Sequence, residues 1–170
     1  MPFREVLGRT GRVHTVSLPL RWSDFDMYGH VNNSAYLEFS QDSRVALLNE
    51  MESIAGNGSV PQVFVRHAEL DYRRGISPSS HTVTVNSEVT RVGRTSFGVR
   101  QLILDSDGIV CCEVKITQVA IDMRSSSPRE ITDSERQLLE SMITRPVREI
   151  ERGQGNEPDI DQLVPPDSTE

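Results

Sequence analysis

Hydrophobic and polar positions alternate strictly over residues 13–22. His14, Val16, Leu18, Leu20 and Trp22 fall on one side, and Val13, Thr15, Ser17, Pro19 and Arg21 on the other. A period of two predicts a strand with one buried face. From about Asn33 to Ile54 the period changes. At 100° per residue, Ala35, Tyr36, Phe39, Ala46, Leu47, Met51 and Ile54 share an arc of about 160°. Glu38, Gln41, Asp42, Asn49 and Glu52 lie opposite, and only Glu50 intrudes on the apolar side. The pattern predicts an amphipathic helix, with Asn32 or Asn33 suited to its N-cap and Gly56-Asn-Gly58 to its end.

From Pro61 to Met123 the chain reads as strand. Residues 62–73 are apolar at Val63 and Val65, then at Ala68, Leu70 and Tyr72, a change of parity that predicts a bulge near Arg66-His67. Val83, Val85 and Val89 share a face, as do Phe97, Val99 and Ile103, and then Val110, Cys112, Val114 and Ile116. Asp105-Ser-Asp-Gly108 has hairpin-turn chemistry, and Val92-Gly-Arg-Thr-Ser96 forms a second connection. Thr132 followed by Glu135 has the spacing of a capping box, which predicts a last helix over about Asp133–Thr144. The result is an α+β chain of five antiparallel strands, one long helix and a short C-terminal helix. A helix of about 20 residues, some 30 Å, has the length to cover one face of such a sheet.

Composition narrows the function classes. The hydrophobic content of 36% fits a folded domain over residues 1–146. Residues 147–170 are aperiodic and carry seven acids against two arginines, which makes an acidic, disordered tail the expectation there. Those residues hold five of the seven net negative charges, so the body is nearly neutral and offers no broad basic face for nucleic acid. No run approaches the ~18 apolar residues of a membrane span, and Met1-Pro-Phe-Arg-Glu5 lacks the pattern of a secretory signal. Cys111 and Cys112, adjacent on a strand, suit neither a disulfide with each other nor a zinc cage. The expected compartment is the cytoplasm, and neither a metal nor a cofactor is implied.

The chemistry concentrates in Arg21-Trp-Ser-Asp-Phe-Asp-Met-Tyr-Gly-His-Val-Asn-Asn-Ser-Ala-Tyr36. Unpaired N–H groups and the positive dipole end at a helix start can hold a developing oxyanion. Asp26, a few residues upstream, can be aimed at the same point. Asp24 shares a strand face with Asp26 and is suited to capping or to pairing with Arg21. There is no Gly-x-Ser-x-Gly elbow and no two-His zinc pattern to compete. A thiol leaving group, with a pKa of about 8.5, needs little proton assistance. One carboxylate plus an oxyanion site therefore suffices, as general base on water or as nucleophile.

The Asp26–Tyr36 segment, Asp-x-x-Gly-His-Val-Asn-Asn-x-x-Tyr, resembles the N-terminal signature of the 4-hydroxybenzoyl-CoA thioesterase-like branch of the hotdog superfamily. Val65-Arg-His-Ala-Glu-Leu-Asp-Tyr-Arg73 is similar to that family's second strand, and the resemblance spans residues 12–123. It implies a hotdog fold, in which the sheet wraps the long helix, and a homodimer or homotetramer that hydrolyses acyl-CoA in fatty acid metabolism. It selects Asp26 as the catalytic carboxylate and Asn33 as donor of a backbone N–H to the thioester carbonyl. His30 is either catalytic or a pin for the turn. The similar motif of plant acyl-carrier-protein thioesterases keeps this histidine but has an asparagine where this chain has Tyr28. Arg91, Gly93, Arg94 and Thr95 resemble the family's Arg-x-Gly-x-Ser-Ser segment near CoA, and Arg73 and Arg74 are further cations. Tyr36 and Phe64 are candidates to line an acyl tunnel, as well as ordinary core positions. Two alternatives accompany this expectation: an acyl-carrier-protein thioesterase, and an acyl-CoA-binding hotdog module without catalysis.

Overall fold

The computed structural model describes residues 3–4, 9–10, 12–56, 60–143 and 145–146. The expected acidic tail, 147–170, lies outside the described residues. In chain order the elements are β1 (Phe3–Arg4), β2 (Arg9–Thr10), β3 (Val13–Pro19), α1 (Asn33–Ala55), β4 (Val63–Tyr72), β5 (Thr82–Val92), β6 (Ser96–Leu104), β7 (Val110–Asp122), β8 (Ser127–Pro128), α2 (Asp133–Ser141) and β9 (Arg145–Pro146). The main sheet runs β1-β3-β5-β6-β7-β4, antiparallel throughout, with β8 on β7; β2 and β9 form a separate pair. Its five long strands and the helix they wrap make a hotdog fold.

Local chemistry sets the boundaries. Asn32 caps α1, its side chain accepting from Ser34 N, and Gly56 ends the helix at φ +92°, a left-handed conformation that costs glycine little. Thr132 and Glu135 form the reciprocal capping box of α2. That helix is shorter than its apolar pattern, because Ile143 leaves it to bridge Val89 in parallel. The β4–β7 register shifts between Val65 and His67, at the bulge that the parity change marks. Asp105 Oδ1 accepts from the backbone of Asp107 and Ile109, and Gly108 takes φ +79° to close the β6–β7 turn.

Two readings of the apolar pattern need correction. Trp22 does not continue the β3 face; it sits in a 3₁₀ turn, Trp22–Asp24, and is 93% exposed. Ile54 is exposed on the last turn of α1, beyond the sheet's cover.

The core beneath α1 has two apolar clusters. One gathers Val31, Tyr36, Phe39, Ile76 and Ile103, and the other Leu47, Met51, Phe97, Val99 and Leu139. Between them lies a buried polar belt. Ser40 Oγ donates to Gln101 Oε1 (2.6 Å), Gln101 Nε2 donates to Ser87 Oγ (3.0 Å), and the Ser43 and Ser87 hydroxyls meet at 2.8 Å. Each buried polar atom named here is matched, so the belt fixes the rotation of α1 on the sheet without the cost of an orphaned group.

Candidate active site

The segment before α1 is tied down by Asp24. Its carboxylate accepts from Arg21 N (2.7 Å) and pairs with the Arg21 guanidinium (2.9 Å), while its carbonyl accepts from Asn32 N (2.7 Å). Arg21 also reaches Glu38 on α1 at 2.6 Å. Asp24 is 3% exposed and engaged in structure. Asp26 is oriented differently. Its Oδ1 accepts from Tyr28 N (2.8 Å) and His30 N (3.2 Å), and its own N donates to His30 O (2.9 Å). Oδ2 makes no hydrogen bond among the described residues. Gly29 takes φ +75° at the tip of this turn, where a side chain would be strained.

A cavity of about 260 Å³ opens beside this turn. Asp26, His30 and Asn33 line it from the α1 side, and Tyr72, Arg73 and Gly75 from the end of β4, with Tyr36 as a further wall. Asp26 is the one carboxylate among the lining residues. Asn33 is the first residue of α1, where a backbone N–H has no partner one turn back. The strand end closes on the helix start because Tyr72 Oη donates to Asn33 O (3.1 Å) and the Tyr72 ring meets Tyr36 edge-on at 5.3 Å. The Tyr36 hydroxyl donates to Arg74 O (3.4 Å) and accepts from Ile76 N (3.3 Å); burial pushes its pKa up to about 12, so it stays neutral. Gly75 lets the His30 imidazole lie against the chain: a Cβ there would come within 3.0 Å of His30 Cδ2.

Of the residues singled out from sequence, Asp26, His30, Asn33 and Tyr36 converge on this cavity. Arg73 and Arg74 join them. Arg73 is held by Asp71 (3.1 Å) and by Glu113, whereas the Arg74 side chain makes no ion pair among the described residues. Phe64, Arg91, Gly93, Arg94 and Thr95 do not line the cavity of their own chain. Phe64 is half exposed on β4, and Arg91–Thr95 form the β5–β6 hairpin, whose flanking Val92 and Phe97 pack with Leu47 and Met51 at the far end of α1. There, Arg94 pairs with Glu130 (2.5 Å), Arg136 donates to Gly93 O (2.8 Å), and Arg91 donates to Thr117 Oγ1 (3.1 Å). Sequence reasoning missed Tyr72 and Gly75 as cavity walls. Periodicity shows which face a strand residue takes, but not that a strand's end returns to a helix start.

The thioesterase-like superfamily matches this chain over residues 20–144, and the chain belongs to that family. It is thus a thioester hydrolase of the hotdog class. Among curated relatives it is similar to the long-chain acyl-CoA thioesterase FadM of Escherichia coli, at 29% identity over 128 residues, covering 74% of this chain and 96% of FadM. Among solved structures it is similar to a predicted thioesterase from Bacillus stearothermophilus (TM-score 0.67, 22% identity, 77% of this chain and 96% of that one). It is also similar to a thioesterase from Thermus thermophilus complexed with coenzyme A and zinc (TM-score 0.64, 21% identity, 75% and 92%). No helix among the described residues is long and apolar enough to cross a membrane.

Proposed function

We propose that the chain hydrolyses acyl-CoA thioesters to a free acid and CoA, with Asp26 as general base. The observation that carries this reading is one carboxylate, pinned through Oδ1, beside the first N–H of α1 in a single cavity. Asp26 Oδ2 takes a proton from water as the water oxygen attacks the thioester carbonyl. The carbonyl oxygen becomes an oxyanion held by Asn33 N–H and the helix dipole, and the tetrahedral adduct collapses by breaking the C–S bond. The thiolate leaves and is protonated in solution, at little cost because thiol pKa values lie near 8.5. His30 holds the turn through its backbone and shapes the cavity with its ring, as a positioning residue. Direct attack by Asp26 through an anhydride uses the same residues. Single turnover in ¹⁸O-water separates the two routes, because only the anhydride route leaves the label in Asp26.

The reading includes a dimer. β4 is an edge strand with Phe64, Val65 and Tyr72 about half exposed, a surface that proteins normally cover. Register makes edge-to-edge pairing informative. Phe64 pairs with Val119, which pairs with Ser96, so Phe64 and the hairpin containing Arg91, Gly93, Arg94 and Thr95 sit at one end of β4. Tyr72 and the cavity sit at the other. Antiparallel pairing of two β4 edges would bring the partner's hairpin end toward this chain's cavity, uniting the two groups of sequence-derived residues. Arg74 at the cavity, with that hairpin, then offers cations to the CoA phosphates.

The test is thiol release across CoA esters from acetyl to palmitoyl and aryl, with matched acyl-carrier-protein esters. The near-neutral body disfavours an acidic carrier protein, so CoA esters are expected to give the higher kcat/KM. Faster cleavage of the carrier-protein esters at moderate salt would overturn that choice. Tight acyl-CoA binding without any thiol release would overturn hydrolysis.

A further inference from the structure

The polar belt shows which way each face of α1 looks. Ser43 stands over Ser87 on β5, and Ser40 over Gln101 on β6. At about 100° per residue, Arg44 lies roughly 40° beyond Ser40 on the side away from Ser43, and so faces β7. Glu50 confirms the sense of rotation from the opposite flank, since its charge acts on His14 of β3. On the helix-facing side of β7, Gln118 lies between Ile116 and Ala120 of the core clusters. One turn on from Ser40, Arg44 advances about 6 Å along α1, toward the Ala120 end and Gln118.

Both side chains are unmatched. Gln118 is 2% exposed, and its Oε1 has no hydrogen-bond partner. The Arg44 Nε is likewise buried without a partner, and burial holds the guanidinium pKa below its ordinary value. Neither side chain makes an ion pair or hydrogen bond among the described residues, although such orphaned groups are costly and uncommon. Arg44 faces the seam between α1 and β4, which the described residues leave uncovered: Leu37, Val45 and Val65 are each about half exposed along it. The Asp26 cavity opens at one end of that seam. A second cavity of about 220 Å³, lined by Val45, Leu48 and Val63 together with Asn49, Glu52 and Gln62, opens at the other. An apolar seam with a cation set into its wall suits an acyl chain that carries an anion at its far end.

We propose that the α1–β4 seam holds the acyl chain, and that the Arg44 guanidinium binds a carboxylate at the chain's distal end. The preferred substrates are then CoA monothioesters of dicarboxylic acids. This rests on the acyl-CoA reading above. From Asn33 to Arg44 the helix advances about 16 Å. At C–C bonds of about 1.5 Å, that is spanned by roughly a dozen extended carbons.

The experiment compares kcat/KM for paired CoA esters of equal length, plain against ω-carboxyl, from adipoyl to dodecanedioyl. It uses wild type, Arg44→Met and Arg44→Lys, with the sedimentation of each variant recorded. Wild type is expected to favour the ω-carboxyl ester by about tenfold at the longer lengths. Arg44→Met should bring the ratio to about one, and Arg44→Lys should restore part of it. Plain esters cleaved as well as ω-carboxyl ones would overturn this inference and leave the thioesterase reading standing. If neither ester is cleaved, the thioesterase reading itself falls. A wild-type ratio near one, with Arg44→Met dissociating the oligomer, would assign Arg44 to a contact with a second copy and also overturn the proposal.

Discussion

At the C-terminal end of α1, Leu47 and Met51 are sealed by Phe97 from the sheet, by Leu139 from α2 and by Met142 just after it, all essentially inaccessible. At the N-terminal end, Tyr36 and Phe39 are buried as well, but the loop before them holds Trp22, Met27 and Tyr28 in solvent, 93%, 88% and 77% exposed. One end is finished within a single chain; the other is left open around a carboxylate. The closed end gains the ordinary stabilisation of apolar burial, about 1.5–3 kcal/mol for each large side chain. The open end forgoes it and presents an aspartate, a helix start and Arg74, which makes no ion pair among the described residues, instead. The difference locates stability at one end and, on the proposed mechanism, chemistry at the other.

The sharpest separation comes from Asp26→Asn. Asn keeps the acceptor oxygen that binds Tyr28 N and His30 N, so the turn should survive and the melting temperature should hold within about a degree. Turnover should fall about 10²-fold or more, as expected when a general base is removed. Calorimetry with a thiol-release assay checks both. Near wild-type turnover would reduce Asp26 to a turn residue.

Leu139→Ala is the mirror experiment at the closed end. A buried leucine truncated to alanine costs about 2–5 kcal/mol, here by opening a void between α2 and Met51. Urea unfolding should show that loss, while turnover below the new melting point falls far less than in Asp26→Asn. Equal losses of activity in the two variants would mean that the ends are not separable.

The smallest effect is on acid stability. Burial alone would raise the Glu135 carboxyl, but hydrogen bonds from Arg129 and Thr132 N outweigh it and hold its pKa below the ordinary value. A depressed folded-state pKa stabilises the native form above the unfolded value of about 4.3, and that contribution is lost as pH falls through the folded value. Glu113, lowered first by its hydrogen bond to Arg100, acts in the same direction. The urea midpoint of wild type should therefore drop below about pH 4, and Glu135→Gln should flatten that dependence. A variant with an unchanged acid profile would show that the capping box does not carry it.

Much of this division is legible in the sequence. The Asn32 cap, the Thr132–Glu135 box and the bulge after Val65 each rest on local chemistry, and the structure holds all three. Asp26, His30 and Asn33 are readable because they fall within eight residues of one chain segment. Tyr72 and Gly75 are not, because only the return of β4 to the start of α1 brings them there. Ser40, Ser43 and Gln101 are hidden for another reason: an apolar-pattern reading treats small and amide side chains as surface, although these three are buried and satisfied by one another. Trp22 misleads in the opposite sense, since its apolar ring predicts burial that one chain does not supply. That excess of exposed apolar surface at the open end is what the proposed dimer would cover.

Sedimentation equilibrium, paired with activity measured over the same range of protein concentration, decides whether a second copy completes the open end. If the open end is completed by the β4 edge of a second copy, activity per chain should rise with the dimer fraction, and Val65→Lys, which places a charge on that edge, should lower both together. A monodisperse monomer with full specific activity would show that one chain is complete without a partner.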